Sequence, residues 1–238
     1  MNLKSLVFGA VSALALVSPA FADTDWGGFS GYVDVTSDYR FRGISNSDLH
    51  PTIQGSINWA NDGWYAGAWA SGVDFNDPPG SGTTFELDLY GGKHFKLDDD
   101  GTDLNVEAYY YAYPDEPTGA KYSYFEGIVG LSHSWDALTA GIQGAWSPEF
   151  FGHTGDAWWV AGNVSYAVTD WVSISGNVGH QWIDLGTDYT HWDLGATFSW
   201  EQFALDVRYV DTSLSVAKCG GLHTCDATAT ATLTWNIP

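Results

Sequence analysis

From Gly28 to Arg42 the chain reads GFSGYVDVTSDYRFR, and its alternate positions differ in kind. Phe29, Gly31, Val33, Val35, Tyr39 and Phe41 share one parity, interrupted by Ser37. Ser30, Tyr32, Asp34, Thr36, Asp38, Arg40 and Arg42 share the other. Successive residues of a strand point to opposite faces. The pattern therefore predicts one strand with an apolar, aromatic-ended face and a charged face. The same period recurs to the end of the chain. Ile53, Gly55, Ile57 and Trp59 alternate with Thr52, Gln54, Ser56 and Asn58. Tyr65, Gly67, Trp69, Val73 and Phe75 form an apolar face opposite Ala66, Ala68, Ala70 and Gly72. Later segments repeat the theme, and the last sets Ala227, Ala229, Ala231, Leu233, Trp235 and Ile237 against a row of threonines. About twelve such segments fit along the chain.

A soluble sandwich and a membrane barrel both alternate in this way, and two further patterns separate them. Short turns, such as Asn61-Asp62-Gly63, Trp135-Asp136-Ala137, Thr169-Asp170 and Glu201-Gln202, alternate strictly with longer polar connections, of which 211–225 is the longest. That asymmetry is expected when both ends of a barrel lie on the periplasmic side. Aromatic residues also recur at the two ends of single faces: Trp158 and Tyr166, Trp192 and Trp200, Phe85 and Phe95, Tyr65 and Phe75. At about 3.4 Å per residue and a tilt near 45°, these spacings rise roughly 19–24 Å, close to an apolar band of about 25 Å between two aromatic girdles. The expectation is an all-β fold, a transmembrane antiparallel up-and-down β-barrel.

Composition narrows the class. Of 238 residues, 29 are acidic and only 8 are Lys or Arg, a net charge of −21 that excludes nucleic acid as a partner. Aromatics make up 16% of the chain, yet no run approaches the length of a spanning helix. Residues 1–22 combine Lys4, an apolar run from Leu6 to Leu16 and the small-residue close Ala20-Phe21-Ala22. This is the form of a cleaved secretory leader, leaving 23–238 as the barrel. The destination implied is the Gram-negative outer membrane, with outer-membrane lipid and lipopolysaccharide around the barrel. The oligomeric state is not set by the sequence.

If the polar parity lines a lumen, Asp34, Asp38, Arg40, Arg42, Glu86, Asp88, Glu107, Glu126, Asp193, Asp206 and Arg208 face inward, together with Tyr90 and Tyr109. Carboxylates outnumber arginines in that set, so a water-filled passage would favour cations. The same charges could instead be cross-strand pairs filling a closed lumen. The tyrosines would narrow the passage. Cys219 and Cys225, downstream of a secretory leader, are expected to form a disulfide at the tip of the last long loop.

Other chemistry finds little support. Asp98-Asp99-Asp100-Gly101-Thr102-Asp103 lacks the spacing and closing Glu of a calcium loop and reads as a polar turn. The seven histidines show no metal-ligand spacing, and no cofactor is implied. A lipid hydrolase resembling the outer-membrane phospholipase would need His and Ser two apart on one strand face, whereas His133 and His180 are followed two residues on by Trp135 and Trp182.

Thr36-Ser37-Asp38-Tyr39-Arg40-Phe41-Arg42-Gly43-Ile44-Ser45 and the later Trp64-Tyr65-Ala66-Gly67-x-Trp69-Ala70-Ser71-x-Val73-Asp74-Phe75 resemble the TorF family of porin-like proteobacterial outer-membrane proteins. Glu86-x-Asp88-x-Tyr90-x-Gly92 and Tyr110-Tyr111-x-Tyr113-Pro114 extend the resemblance. It implies a barrel with a transport role, passing small solutes or ions by passive diffusion. The alternative is a non-conducting barrel whose outer loops bind a partner. One departure is the end of the chain, Trp235-Asn236-Ile237-Pro238, where many outer-membrane barrels carry a terminal Phe.

Overall fold

The computed structural model describes residues 27–77 and 82–237, so the expected leader lies outside the described residues. Twelve antiparallel strands close into one barrel. In chain order the strands are β1 (Gly28–Thr36), β2 (Arg40–Phe41), β3 (Ile44–Ser45), β4 (Thr52–Asn61), β5 (Trp64–Gly72), β6 (Phe85–Lys96) and β7 (Thr102–Ala112). They continue as β8 (Tyr124–Trp135), β9 (Leu138–Ser147), β10 (Ala157–Thr169), β11 (Val172–Ile183), β12 (Tyr189–Trp200), β13 (Phe203–Thr212) and β14 (Thr228–Ile237). Strands β2 and β3 form a separate two-stranded hairpin, and every other strand pairs with its chain neighbour around the wall. The ring closes where β1 meets β14, from Gly31 opposite Ile237 to Thr36 opposite Thr232. The Thr232 hydroxyl donates to the Thr36 hydroxyl at 2.9 Å across this seam.

The outward parity is apolar and uncovered. Val33, Ile57, Leu89, Val129, Ile142, Val178, Leu194, Val207 and Leu233 are all exposed, on strands spread around the whole circumference. A continuous apolar belt of this extent is far beyond what a soluble monomer leaves to water, and lipid is the solvent that suits it. Exposed aromatics ring both ends of the belt. Phe29, Trp64, Trp135, Trp171, Trp200 and Trp235 stand near the short turns, and Phe125, Trp146, Trp158, Trp182 and Trp192 near the long loops. Lys93 lays its ammonium over the Trp64 ring at 4.6 Å, an arrangement suited to the lipid–water boundary.

Two expectations of facing are overturned. Strand β1 ends at Thr36, not Arg42. Ser37 still bonds to Ala231 through its backbone and side chain, both at 2.9 Å, but beyond it the chain turns inward and doubles back as β2–β3. Tyr39 is consequently buried inside, and Phe41 packs against the inner cluster that holds Tyr111 and Tyr124. In β5 the faces are reversed. Ala66, Ala68 and Ala70 lie opposite Trp59, Ile57 and Gly55 of the outward parity, while Gly67, Trp69 and Ser71 lie opposite the inward Asn58, Ser56 and Gln54. Trp69 is needed inside, where its ring meets Tyr39 edge-on at 5.3 Å. Gly67 is small because a Cβ there would fall 2.6 Å from both the Tyr90 hydroxyl and Asn58 Oδ1. The spacing of Tyr65 and Phe75 therefore does not mark a lipid girdle: Tyr65 donates inward to Asn105 at 2.8 Å, and Phe75 packs on Tyr113.

Leu194 sits mid-strand on the lipid side, opposite Gly176 and Tyr209. Leu194→Arg is expected to destabilise the barrel by about 2–4 kcal/mol in a phospholipid bilayer, measured by denaturant titration in vesicles. A cost near zero would contradict the lipid-facing assignment.

Candidate functional site

The inside of the barrel is dominated by the β2–β3 hairpin. Its two-residue turn is Arg42-Gly43, with φ of 46° and 87°, the doubly positive geometry of the tightest hairpins. Gly43 is required twice over. Its φ is left-handed, and a Cβ would lie 2.6 Å from the Thr212 methyl and 2.9 Å from His191 Cβ. The tip is thus pressed on the β12–β13 wall. Tethers hold the rest. The Ser45 amide donates to the Thr224 carbonyl at 2.8 Å, and the Asp74 amide donates to the Asn46 carbonyl at 2.8 Å. Asp38 organises the base, with Oδ1 accepting from the Ser45 and Ser47 hydroxyls (2.5 and 3.2 Å) and Oδ2 from Arg40 Nε (2.5 Å).

Each arginine of the interior is bound to carboxylate. Arg40 holds Asp38 and donates through Nη1 to the carbonyls of Thr224, Gly43 and Asp226 at 2.8, 3.1 and 3.2 Å. Arg42 reaches from the hairpin tip to β8, where its two Nη atoms grip Glu126 at 2.9 and 2.7 Å. Nη1 also donates to Gln181 Oε1 at 2.7 Å, and the guanidinium lies 4.4 Å from the Trp159 ring centre. Tyr111 completes the Glu126 carboxylate at 3.1 Å. On the far wall Arg208 pairs with Asp193 and Asp206 and donates to Ser175 Oγ at 2.9 Å.

The remaining inward carboxylates have no such partner. Among the described residues Asp34, Glu86, Asp88 and Glu107 form no ion pair with a basic side chain. Glu86 accepts from the Tyr113 hydroxyl at 2.8 Å and Asp88 from Tyr109 at 3.1 Å. Asp34 Oδ1, Glu86 Oε2 and Asp88 Oδ1 are buried without a hydrogen-bond partner among the described residues. Beside them runs an aromatic column: Tyr90 on Tyr109 at 5.1 Å, Tyr109 on Tyr111 at 4.6 Å, Tyr111 on Tyr124 at 4.4 Å and Tyr124 against Phe150 at 4.8 Å. The interior is therefore polarised. Uncompensated acid and tyrosine line β6 and β7, with Asp34 apart on β1, and the arginine pairs occupy the hairpin, β8 and the β12–β13 wall.

Every residue that the sequence places on the charged parity lies inside the barrel, but Asp38, Arg40 and Arg42 get there on the hairpin and not on a wall strand. Trp159, Gln181 and His191 are buried partners of the arginine network that the alternation alone did not single out. Each sits on the inward parity of its strand, and Trp159 donates from Nε1 to His191 Nε2 at 2.9 Å. Cys219 and Cys225 form the expected disulfide, with Cα atoms 6.1 Å apart. Its position is corrected: Cys225 is buried at the loop's root, not at the tip, and its carbonyl accepts from Thr212 Oγ1 at 2.9 Å. In the 98–103 turn Asp98 Oδ1 accepts from the Asp100 and Thr102 amides at 3.0 and 2.9 Å, an ordinary side-chain-capped turn.

A family model described as "Bacterial protein of unknown function (Gcw_chp)" matches residues 22–237. No curated protein matches the sequence. Among solved structures, the KdgM porin superposes with a TM-score of 0.59 at 6% identity, covering 88% of this chain and 98% of its own; one of its structures is a complex with disordered oligogalacturonate. The NanC porin gives 0.56 at 9% identity, over 89% of this chain and 100% of its own. At these identities the likeness establishes the fold, a porin-type closed barrel.

Arg42→Ala would leave Glu126 buried beside Tyr111 without its cation, and is expected to cost about 3–5 kcal/mol in urea titrations of the micelle-embedded barrel. Adding Glu126→Gln should return a large part of that loss. No recovery in the double variant would mean that the charge pair does not carry the effect.

Proposed function

The chain belongs to the Gcw_chp family, and we propose that this member is an outer-membrane channel, a narrow porin passing small solutes or ions by passive diffusion with a preference for cations. The observation that carries this reading is the charge balance of the lumen. Arg40, Arg42 and Arg208 are each paired with carboxylates, while among the described residues Asp34, Glu86, Asp88 and Glu107 have no basic partner. A confined passage lined by one sign of charge raises the local concentration of counter-ions. The apolar belt and the leader-like residues 1–22 support an outer-membrane location, and the motif resemblance to the TorF family supports transport. The same charge balance argues against a polyanion such as the oligogalacturonate that the KdgM porin binds.

The hairpin sets the conductance in this reading. It crosses the lumen at the height of Glu126, so passage requires it to shift or requires ions to thread past its edge. The stacked tyrosines and unpaired carboxylates of β6 and β7 offer that edge a polar wall. A second reading, a non-conducting barrel acting through its outer loops, is favoured by the same hairpin, whose docking to four separate parts of the wall and loops is well suited to a permanent plug.

Planar-bilayer recording in a KCl gradient tests both. The unmodified protein is expected to give small steps and a cation-selective reversal potential. Selectivity should weaken toward 1 M salt, where the screening length is about 3 Å. Glu86→Gln with Asp88→Asn should weaken the preference. Arg40→Ala with Arg42→Ala should strengthen it and enlarge the steps, because the hairpin loses both of its charged anchors. Anion selectivity would overturn the cation assignment, and the absence of steps in wild type and in the double arginine variant would establish the plug.

A further inference from the structure

The last long loop meets the hairpin through successive backbone carbonyls. The Thr224 carbonyl accepts from the Ser45 amide and from Arg40 Nη1, both at 2.8 Å. The Asp226 carbonyl accepts from Arg40 Nη1 at 3.2 Å. The Cys225 carbonyl between them accepts from Thr212 Oγ1, at the end of β13, at 2.9 Å. This short row therefore fastens the base of the hairpin to the wall. Its middle residue is also half of a disulfide. Cys225 is bonded to Cys219, and Cys219 Sγ lies 3.3 Å from the Thr224 hydroxyl. Cys219 in turn belongs to a compact turn. Its amide donates to the Ser215 carbonyl at 2.9 Å, and the Gly221 amide donates to the Val216 carbonyl at 2.8 Å. The bridge is thus the covalent brace between that turn and the carbonyl row.

A cross-link limits the conformations that an opened segment can reach. With the bridge intact, residues 224–226 cannot leave the hairpin without carrying the 215–221 turn with them. With two thiols in its place, the whole connection from β13 to β14 can open as one loop, and the carbonyl row with it. The two sulfurs differ in access. Cys225 is 1% exposed and Cys219 is half-buried, so a reductant meets Cys219 first. We propose that the Cys219–Cys225 disulfide is a redox-sensitive clamp on the occluding hairpin: the oxidised bridge keeps the base of the hairpin docked, and its reduction releases that base. One thiolate of an external dithiol attacks Cys219 Sγ, the S–S bond breaks, and Cys225 leaves as a thiolate that takes up a proton. The second thiol of the reductant then displaces Cys219 from the mixed disulfide. The reductant departs as its own internal disulfide, oxidised by two electrons, and its two protons end on the two cysteines. Arg42 still grips Glu126, so the reduced hairpin loosens at its base while its tip stays seated. The clamp goes beyond the channel reading and applies to a conducting barrel and a plugged one alike.

Hydrogen–deuterium exchange of the full barrel in detergent micelles, before and after treatment with dithiothreitol, tests the clamp. The Ser45 amide is the direct reporter, because its hydrogen bond ends on the Thr224 carbonyl. Its exchange is expected to quicken at least about tenfold on reduction. The backbone amides of β7 and β8, across the ring from β14, should keep their oxidised rates. Mass spectrometry of the same sample fixes the number of thiols. Full reduction with unchanged exchange at Ser45 overturns the proposal, and so does a bridge that the reagent cannot open in the folded barrel. Equal quickening in β7 and β8 would mean that the bridge stabilises the barrel at large and not the hairpin, and overturns it too. Cys219→Ser with Cys225→Ser should reproduce the reduced rates and no longer respond to dithiothreitol. If that double variant does not fold, the chemically reduced wild-type protein decides alone. Because no current is measured, a non-conducting barrel leaves the test intact.

Discussion

Hydrocarbon offers no partner to a peptide group, and the rest of this structure follows from that constraint. A sheet in lipid has to leave no edge, so β1 and β14 must meet. Closure in turn fixes what alternation means: one parity of every wall strand belongs to lipid and the other to an enclosed space. The enclosed space then becomes the difficult part of the molecule. It receives the polar parity of twelve strands, charged on several of them and largely buried, and its contents are organised accordingly.

The solution inside is a division of labour between pairing and crowding. Arginine–carboxylate pairs are confined to the hairpin, β8 and the β12–β13 wall, where each guanidinium engages carboxylate and further oxygens. On the other side tyrosine hydroxyls reach Glu86 and Asp88 without neutralising them, and the rings stack into a column. Removing one member of a buried pair is costly because the other remains charged, so the paired side should be the more rigid of the two. In this member of the Gcw_chp family the paired arginines and the unpaired carboxylates are thus carried by different parts of the barrel.

The wall was legible from the alternation because strand periodicity is local: strand count, loop asymmetry and the inward placement of Glu86, Asp88, Glu107 and Arg208 all follow from parity. The hairpin was not. Despite Ser37, parity carries on into Asp38, Arg40 and Arg42, and the turn at Arg42-Gly43 falls where the strand reads as passing into a polar loop, so it does not announce a hairpin. Strand β5 misled for another reason. Its aromatic parity reads as lipid-facing, yet Trp69 is required inside to receive Tyr39. The grip of Arg42 on Glu126 joins positions 84 residues apart, and nothing in either neighbourhood announces the other. Trp159 and Gln181, which complete that contact, lie on strands whose inward positions are otherwise small or plain polar.

The tether between the hairpin and the last long loop also dictates an order of assembly. Arg40 and the Thr224 carbonyl are separated by 184 residues, nearly the full length of the barrel, and the hairpin that carries Arg40 is made almost at the beginning of the chain. It can form early as a local turn, but its dock does not exist until the final loop and β14 arrive. Contacts of such separation are reached late, after the entropy of the intervening loop has been overcome. Until then the chain is an open sheet with two bare edges and an unseated hairpin, a template for pairing with other chains. Seating the hairpin and sealing β1 to β14 are therefore adjacent events at the end of biogenesis, and the element that obstructs the lumen doubles as a latch on the finished ring.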